Sequence, residues 1–329
     1  MTLQRAQRGA ALLMAMLTVT LVATFAAAAM WQQWRSIEVE QAERTRVQSA
    51  WILTGALDWA RLILREDAKG GGPDYLSEPW AVPLEEARLS TFLAAEKGVA
   101  VAVTDEEPID AFLSGQIIDL QSLLNVNNLV DRGQVSPAWL RSFTRLFELL
   151  GLPPAQLATL AENLRFAGDT SAANRSSPMA PLMPQRVEQL VWLGLAPETV
   201  AALQPYVTVL ASPIATLVNL NTAKAEVIYA SVDCISLADA QRLVTERDRS
   251  HFRTVTDAAK LLGREVAAFG TDQVSIASSY FESRGRLRMG QMVVEERSVL
   301  RRDGNEVRAI QRERGVIAAP VPGATLPAR

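Results

Sequence analysis

Arg8-Gly9-Ala10-Ala11-Leu12-Leu13-Met14 opens an apolar run that continues to Met30, and the reading of this run decides the rest of the chain. Between Ala10 and Met30 there is no charged residue, and the only polar side chains are Thr18, Thr20 and Thr24. At about 1.5 Å per residue a helix of this run is roughly 30 Å long, the thickness of a bilayer's hydrocarbon core. Arg5 and Arg8 precede it, an arrangement that keeps its start in the cytoplasm and sends the remainder across. From Trp31 to Arg65 there is no proline, and Gly55 is the only glycine. The spacing therefore predicts one long helix that is apolar first and amphipathic afterwards. Its expected sheet-facing stripe is Ile37, Val47, Trp51, Leu57, Leu62 and Leu64, and Lys69-Gly70-Gly71-Gly72-Pro73 ends it.

The 329 residues, 49% hydrophobic and 21% charged, suffice for an anchor and one or two globular domains. A net charge of −3 does not advertise a nucleic-acid partner. The single cysteine, Cys234, excludes an internal disulfide. A catalytic triad or zinc site would have to be assembled around the single histidine, His251, so no enzymatic activity is expected. Carboxylate pairs such as Glu85 with Glu86 and Asp105 with Glu106 read as solvated surface.

The apolar run is longer than the usual core of a secretory signal, about 7–15 residues, although Ala26 to Ala29 would suit a signal peptidase. It also begins directly after Arg8-Gly9. That order resembles the class III signal of type IV pilins and their relatives, in which a membrane peptidase cuts after the glycine and methylates the new N-terminus. The resemblance implies a leader Met1–Gly9 and a mature chain starting at Ala10, where the family often has phenylalanine. It also draws attention to the fifth mature position, here Met14. Most pilin-like subunits have a glutamate there, because a carboxylate in hydrocarbon is kept only when it has a partner. Its absence either argues against a pilin or marks a subunit with no neighbour above it.

Beyond the rod, Asp74 to Pro83 reads as a loop around Trp80. Gly98–Thr104 and Gln116–Leu120 read as strands, joined across the acidic segment Asp105–Asp110. From Leu123 the period turns helical, and a weak internal echo appears. Asn125-Val126-Asn127-Asn128-Leu129 precedes a helical region ending near Leu164, and Asn219-Leu220-Asn221-Thr222-Ala223 precedes another ending near Leu262. In the second copy Asn221 or Thr222 is expected to cap a helix over Ala223–Ser231, with Glu226 in its first turns. Gly168–Pro184 reads as a loop between the copies. Strands return at Val274–Ile276, Tyr280–Met289 and Gln291–Arg301, with turns at Gly290 and Asp303-Gly304 leading into Glu306–Gln311. The Pro/Ala-rich end, 316–329, reads as a disordered tail.

Residues 219–257 resemble a helix–hairpin–helix, the fold of some DNA-binding domains, so a membrane-anchored DNA receptor is the alternative reading. Its hairpin position is Asp233-Cys234-Ile235-Ser236, without the glycines that bring backbone amides onto phosphate. Arg242, Arg247, Arg249 and Arg253 are balanced by Asp239, Glu246, Asp248 and Asp257, whereas phosphate binding needs a basic excess.

Taken in order, several features resemble the minor pseudopilin K family of bacterial type II secretion systems. They are the glycine-preceded apolar rod without its glutamate, Ile118–Leu129, the run from Pro178-Met179-Ala180 into Glu188-Gln189-Leu190, Val218–Ala223, and Ser279-Tyr280-Phe281. The resemblance implies an α+β fold with a long N-terminal transmembrane and amphipathic helix on a pilin-like antiparallel sheet. A large α-helical insertion, helix–hairpin–helix or SAM-like, would interrupt that sheet. The implied segments are a leader 1–9, a helix 10–66 with its membrane part 10–30, sheet residues 67–120, an insertion 121–268, closing strands 269–315 and the tail. It further implies a place at the pseudopilus tip, helping to start assembly and to export folded proteins. The implied partners are the minor subunits I, J and H, the major pseudopilin, the prepilin peptidase, and secreted proteins or the secretin, with no nucleic acid. The implied location is the inner membrane, N-terminus cytoplasmic and bulk periplasmic. Members of the family bind calcium in a loop of the insertion. The matching stretch here, Arg165 to Ser177, offers only Asp169 and Asn174 as hard ligands, against the 6–8 oxygens calcium takes, so no cofactor is expected.

Overall fold

The computed structural model describes residues 7–89, 111–171, 174, 177–265, 269, 272–290 and 292–318. The expected strand at Gly98–Thr104 and the acidic loop after it lie outside these residues. By compactness the chain divides into residues 1–55 and residues 56–329.

Helix α1 runs over Gln7–Gly70. In its first part the apolar side chains face outward, with Leu13 at 70% and Phe25 at 67% exposure. The three threonine hydroxyls are satisfied within the helix: Thr18, Thr20 and Thr24 donate to the carbonyls of Ala15, Leu17 and Leu21. Such back-bonding leaves no polar group in need of water, as an apolar medium requires.

In the second unit a five-stranded antiparallel sheet has the order β1-β2-β9-β10-β11, where β1 is Leu84–Arg88, β2 Ala111–Asp119, β9 Tyr280–Met289, β10 Met292–Asp303 and β11 Glu306–Ala318. Because β2 and β9 are neighbours in space, everything between them in sequence is an insertion into the sheet. The β10–β11 hairpin closes with Asp303 opposite Glu306, so Gly304-Asn305 form the two-residue turn. Gly304 there has φ +55°, the left-handed conformation such a turn demands. β11 continues to Ala318, so residues 316–318 belong to the sheet and not to a tail.

The end of α1 packs on one face of this sheet. Leu57, Ala60 and Leu64 meet Ile117, Phe281, Leu300 and Val307, and Trp80 stands edge-on to Phe281 with centroids 5.2 Å apart. The stripe expected from the sequence is thereby corrected. Spacings of three and four select Leu57, Ala60 and Leu64 as one face, while Ile37, Val47, Trp51 and Leu62 are exposed.

The insertion is built on a second, larger core. Helix α2 (Pro137–Leu149) contributes Trp139, Phe143, Leu146 and Phe147, and α3 (Pro154–Ala167) contributes Leu157, Leu160 and Leu164, each set on one helical stripe. Short helices α4 (Pro197–Leu203), α5 (Ala225–Ser231), α6 (Leu237–Arg249) and α7 (Val255–Leu261) complete it. Full burial of each such Leu or Phe contributes about 1.5–3 kcal/mol, so this core can hold the insertion together. The helix expected from Leu123 begins only at Pro137. Before it lie two-residue strands, β3 (Leu124–Asn125), β4 (Val130–Asp131) and β5 (Gln134–Val135), and a 3₁₀ turn over Val126–Leu129. Asparagine side chains occupy the backbone groups that a helix would have used.

Candidate functional site

Gly9, Ala10 and Met14 fall within the first turns of α1, and the Met14 side chain is 67% exposed. The chain supplies no acidic residue in that first turn. From Ala10 to Met30 the helix offers an uncharged, exposed apolar surface that needs lipid or another helix around it.

A buried polar joint ties the sheet to the insertion. Asp119, at the end of β2, accepts hydrogen bonds through Oδ2 from Thr222 Oγ1 (2.5 Å), Ser278 Oγ (2.6 Å) and Asn219 Nδ2 (3.2 Å), and through Oδ1 from the Gln121 amide (2.7 Å). Asn219 also donates to the Asp74 carbonyl, and the Ser278 amide donates to the Asp74 carboxylate. Arg302 closes the network, donating to Asp67 at 2.7 Å and Asp74 at 2.6 Å while resting over the Phe281 ring. Asp67, Asp74 and Glu78 bring one oxygen each within 4.8 Å of one another, as a cation site would. Arg302 already supplies the positive charge to the first two. Burial pushes the Asp119 carboxyl up to about 6, against the hydrogen bonds it receives, and Glu78 to about 7. Burial likewise raises Asp74, with Arg302 opposing it.

Joint residues Asp74, Asp119, Asn219, Ser278 and Arg302 are far apart in sequence, and the sequence expectation nearest to them was Asn221 or Thr222 as a helix cap. That expectation is corrected. Thr222 gives its hydroxyl to Asp119, and Asn221 makes a two-way bond with the Phe252 backbone (2.8 and 2.9 Å). Helix α5 consequently starts at Ala225, with Lys224 at its N-cap making no side-chain cap.

The helix–hairpin–helix shape is present in α5 and α6, but its basic residues serve the fold. Arg247 occupies a position on the buried stripe of α6 and donates to the carbonyls of Leu220 and Ala223. At the hairpin, Arg145 donates to the carbonyls of Val232 and Ile235, and both Arg141 and Arg145 pair with Asp233. These arginines arrive from α2 and occupy the turn that a phosphate would approach. Cys234 sits in this turn with φ +61°, and His251 is stacked on Tyr75 at 3.8 Å.

The Arg165–Ser177 stretch holds the two hard ligands named from the sequence, Asp169 and Asn174. Its one carboxylate, Asp169, accepts from the Ser171 amide. Asn174 instead wires the loop, donating to the carbonyls of Phe166 and Asp169 and leaving Oδ1 buried without a partner.

Two family models describing type II secretion system protein K match the chain, one over residues 122–212 and the other over residues 218–277. Both lie inside the insertion, and each includes one asparagine-led segment. The curated type II secretion system protein K of Pseudomonas aeruginosa is 26% identical, with 97% of this chain and 96% of the relative covered. That of Klebsiella pneumoniae is also 26% identical, over 94% of this chain and 97% of the relative. Among solved structures, a chain of the GspK-GspI-GspJ complex from enterotoxigenic Escherichia coli superposes with a TM-score of 0.62, covering 84% of this chain and 98% of that one. At 18% identity that likeness shows the fold. The two family models within the insertion, the sheet of the same fold and the curated relatives that cover nearly the whole chain all show similarity to the type II secretion system protein K family.

Proposed function

We propose that the chain is a membrane-anchored minor pseudopilin that caps the type II secretion pseudopilus, helping to start its assembly and the export of folded proteins. The observation that carries this reading is the pairing of the family-matched insertion with an exposed apolar α1 that lacks an acidic residue near its start. In this reading the prepilin peptidase cuts after Gly9, Ala10 becomes the methylated N-terminus, and Met14 needs no carboxylate because no subunit stands above it. The anchor crosses the inner membrane once, with the bulk of the chain periplasmic. The solved relative crystallised as a GspK-GspI-GspJ complex, which supports the minor subunits I and J as neighbours below, with H and the major pseudopilin further down. The work is mechanical: apolar helix surface moves from lipid to partner helices, and no covalent chemistry follows processing. The DNA-receptor reading is not favoured, because Arg145 and Arg247 are committed to backbone carbonyls.

Intact mass and N-terminal peptide mapping of the protein from its native membranes test the proposal. A chain starting at Ala10 is expected. A start near Met30 would sink the assembly mechanism, and an uncut Met1 or Thr2 would return the anchored receptor to consideration.

A further inference from the structure

The sheet has a second face, and only part of it is covered. Alternation along β9 places Phe281, Ser283 and Leu287 toward α1 and Glu282, Arg284, Arg286 and Arg288 toward the opposite side. At the upper end of that opposite side, Tyr280 and Val299 are sealed against Leu120 and Leu210 of the insertion. Below this seal lies an open cleft of about 730 Å³, floored by Ser114, Gln116, Arg284, Arg286 and Arg297 and overhung by Arg186 from the insertion.

The arginines here share one arrangement. Arg284 and Arg297 both direct Nε at the fully buried carboxylate of Glu282. Arg186 directs Nε at Glu313 (2.8 Å), and Arg286 directs Nε at Glu295 (3.7 Å). In every case the glutamate takes the side of the guanidinium, and the terminal Nη nitrogens have no hydrogen-bond partner among the described residues. The end-on fork of a guanidinium is the edge that accepts a carboxylate through two parallel bonds. Four such forks, steadied from behind by the three glutamates Glu282, Glu295 and Glu313, line one cleft. The surrounding strands are the basic part of an acidic chain, with nine arginines against six carboxylates between Tyr280 and Arg314 in a molecule of net charge −3.

We infer that this cleft is a docking site for an extended acidic segment of a partner protein, whose carboxylates engage the free forks of Arg186, Arg284, Arg286 and Arg297. The interleaved glutamates decide the chemistry of the partner. Nucleic acids and anionic lipid surfaces reward an unbroken cationic field, whereas alternating signs at side-chain spacing reward a peptide whose charges fall in register. The inference does not depend on a place at the pseudopilus tip.

The test uses the full-length chain in detergent at low ionic strength, with fluorescence anisotropy of a labelled peptide of alternating glutamate and serine. Saturable binding is expected, with none for the glutamine–serine counterpart. Arg186→Gln combined with Arg286→Gln, both at half-exposed positions whose partners are also solvated, should weaken binding about ten-fold or more, the scale of one lost charge-assisted contact. Unchanged thermal unfolding would confirm that this variant is folded. Glu295→Gln releases Arg286 and should tighten binding, and Arg249→Gln on the distant helix α6 should leave it unchanged. Absence of saturable binding, equal binding of the glutamine peptide, or equal affinity of the double variant overturns the inference. So does tighter, Arg286-dependent binding of a short single-stranded DNA.

Discussion

The two asparagine-led segments of the insertion begin alike and end differently. Each opens on a two-residue strand paired in parallel with a distant one: Leu124–Asn125 with Val207–Thr208, and Val218–Asn219 with Val274–Ser275. In each the leading asparagine is buried and accepts from the amide two residues on, Asn127 at 3.1 Å and Asn221 at 2.9 Å. The first segment then spends its side chains on neutral backbone. Asn125 exchanges bonds with Leu210 (3.1 and 3.0 Å), and Asn128 with Thr216 (2.8 and 3.1 Å). The second turns its leading amide toward Asp119 and the Asp74 carbonyl. One local device therefore makes a neutral stitch in one place and an ionisable joint in the other. The insertion is held within itself by the first and to the sheet by the second.

The largest effect should come from removing the cation of the joint. Arg302→Met leaves Asp67 and Asp74 without their countercharge, and stripping one partner from a buried pair costs about 3–5 kcal/mol. Urea unfolding of the detergent-solubilised chain, followed by circular dichroism, measures it. A loss no greater than that of an exposed pair would mean that the joint does not hold the two parts together.

Next in size is a dependence on pH that only the second segment should show. The Asp119 carboxyl is raised from 3.8 to about 6, so between these values the folded chain binds a proton that the unfolded chain does not. Stability linked to Asp119 is then fully present below about 3.8 and lost as pH rises through about 6; Glu78, raised to about 7, acts in the same direction. Each pKa unit corresponds to about 1.4 kcal/mol, and the folded carboxyl at about 6 lies one unit above pH 5, so stability should fall by about 1.4 kcal/mol from pH 5 to pH 8 through Asp119 alone. Asp119→Asn should flatten this slope to what Glu78 and Asp74 leave. Its amide can still donate to the Thr222 and Ser278 hydroxyls, which have lone pairs to accept. An unflattened slope in the variant would place the titration elsewhere.

These contrasts explain what could be read from the residues alone. The closing strands were legible because alternation and turn glycines are local signals, and so was the apolar helix. Strand β1 was not, since Leu84–Arg88 contains Glu85, Glu86 and Arg88 and lies at an edge where polar residues are favoured. The first asparagine segment read as the approach to a helix because its hydrophobic spacing is helical; only the side chains' bonds to Leu210 and Thr216 make it irregular. The joint was invisible for a similar reason, with its members contributed by a helix end, loops and strand ends up to 235 residues apart. The Nε-bound arginines of the sheet were also hidden, because strand parity assigns a face without showing which edge of a guanidinium is already occupied.

The smallest expected effect belongs to Asn127, set against Asn221, its counterpart in the other segment. Asn221 is fully buried and meets the Phe252 backbone with both ends of its amide. Asn127 is half-buried, its Nδ2 shares the Leu210 carbonyl with Asn125, and its Oδ1 has no partner. Asn221→Ala strands a buried donor and a buried acceptor, each costing about 1–3 kcal/mol. Asn127→Ala strands neither, because Asn125 still serves Leu210, and it removes an acceptor that was already unsatisfied. Its cost should stay within about 0.5–1 kcal/mol, the net worth of one redundant hydrogen bond. Measured side by side at pH 5 and pH 8, both variants should lose the same amount at either pH, since neither contacts a carboxylate. A pH-dependent difference for Asn221→Ala would show that the joint reaches beyond Asn219 into the helix–hairpin–helix itself, and the separation between neutral stitch and ionisable joint would have to be redrawn.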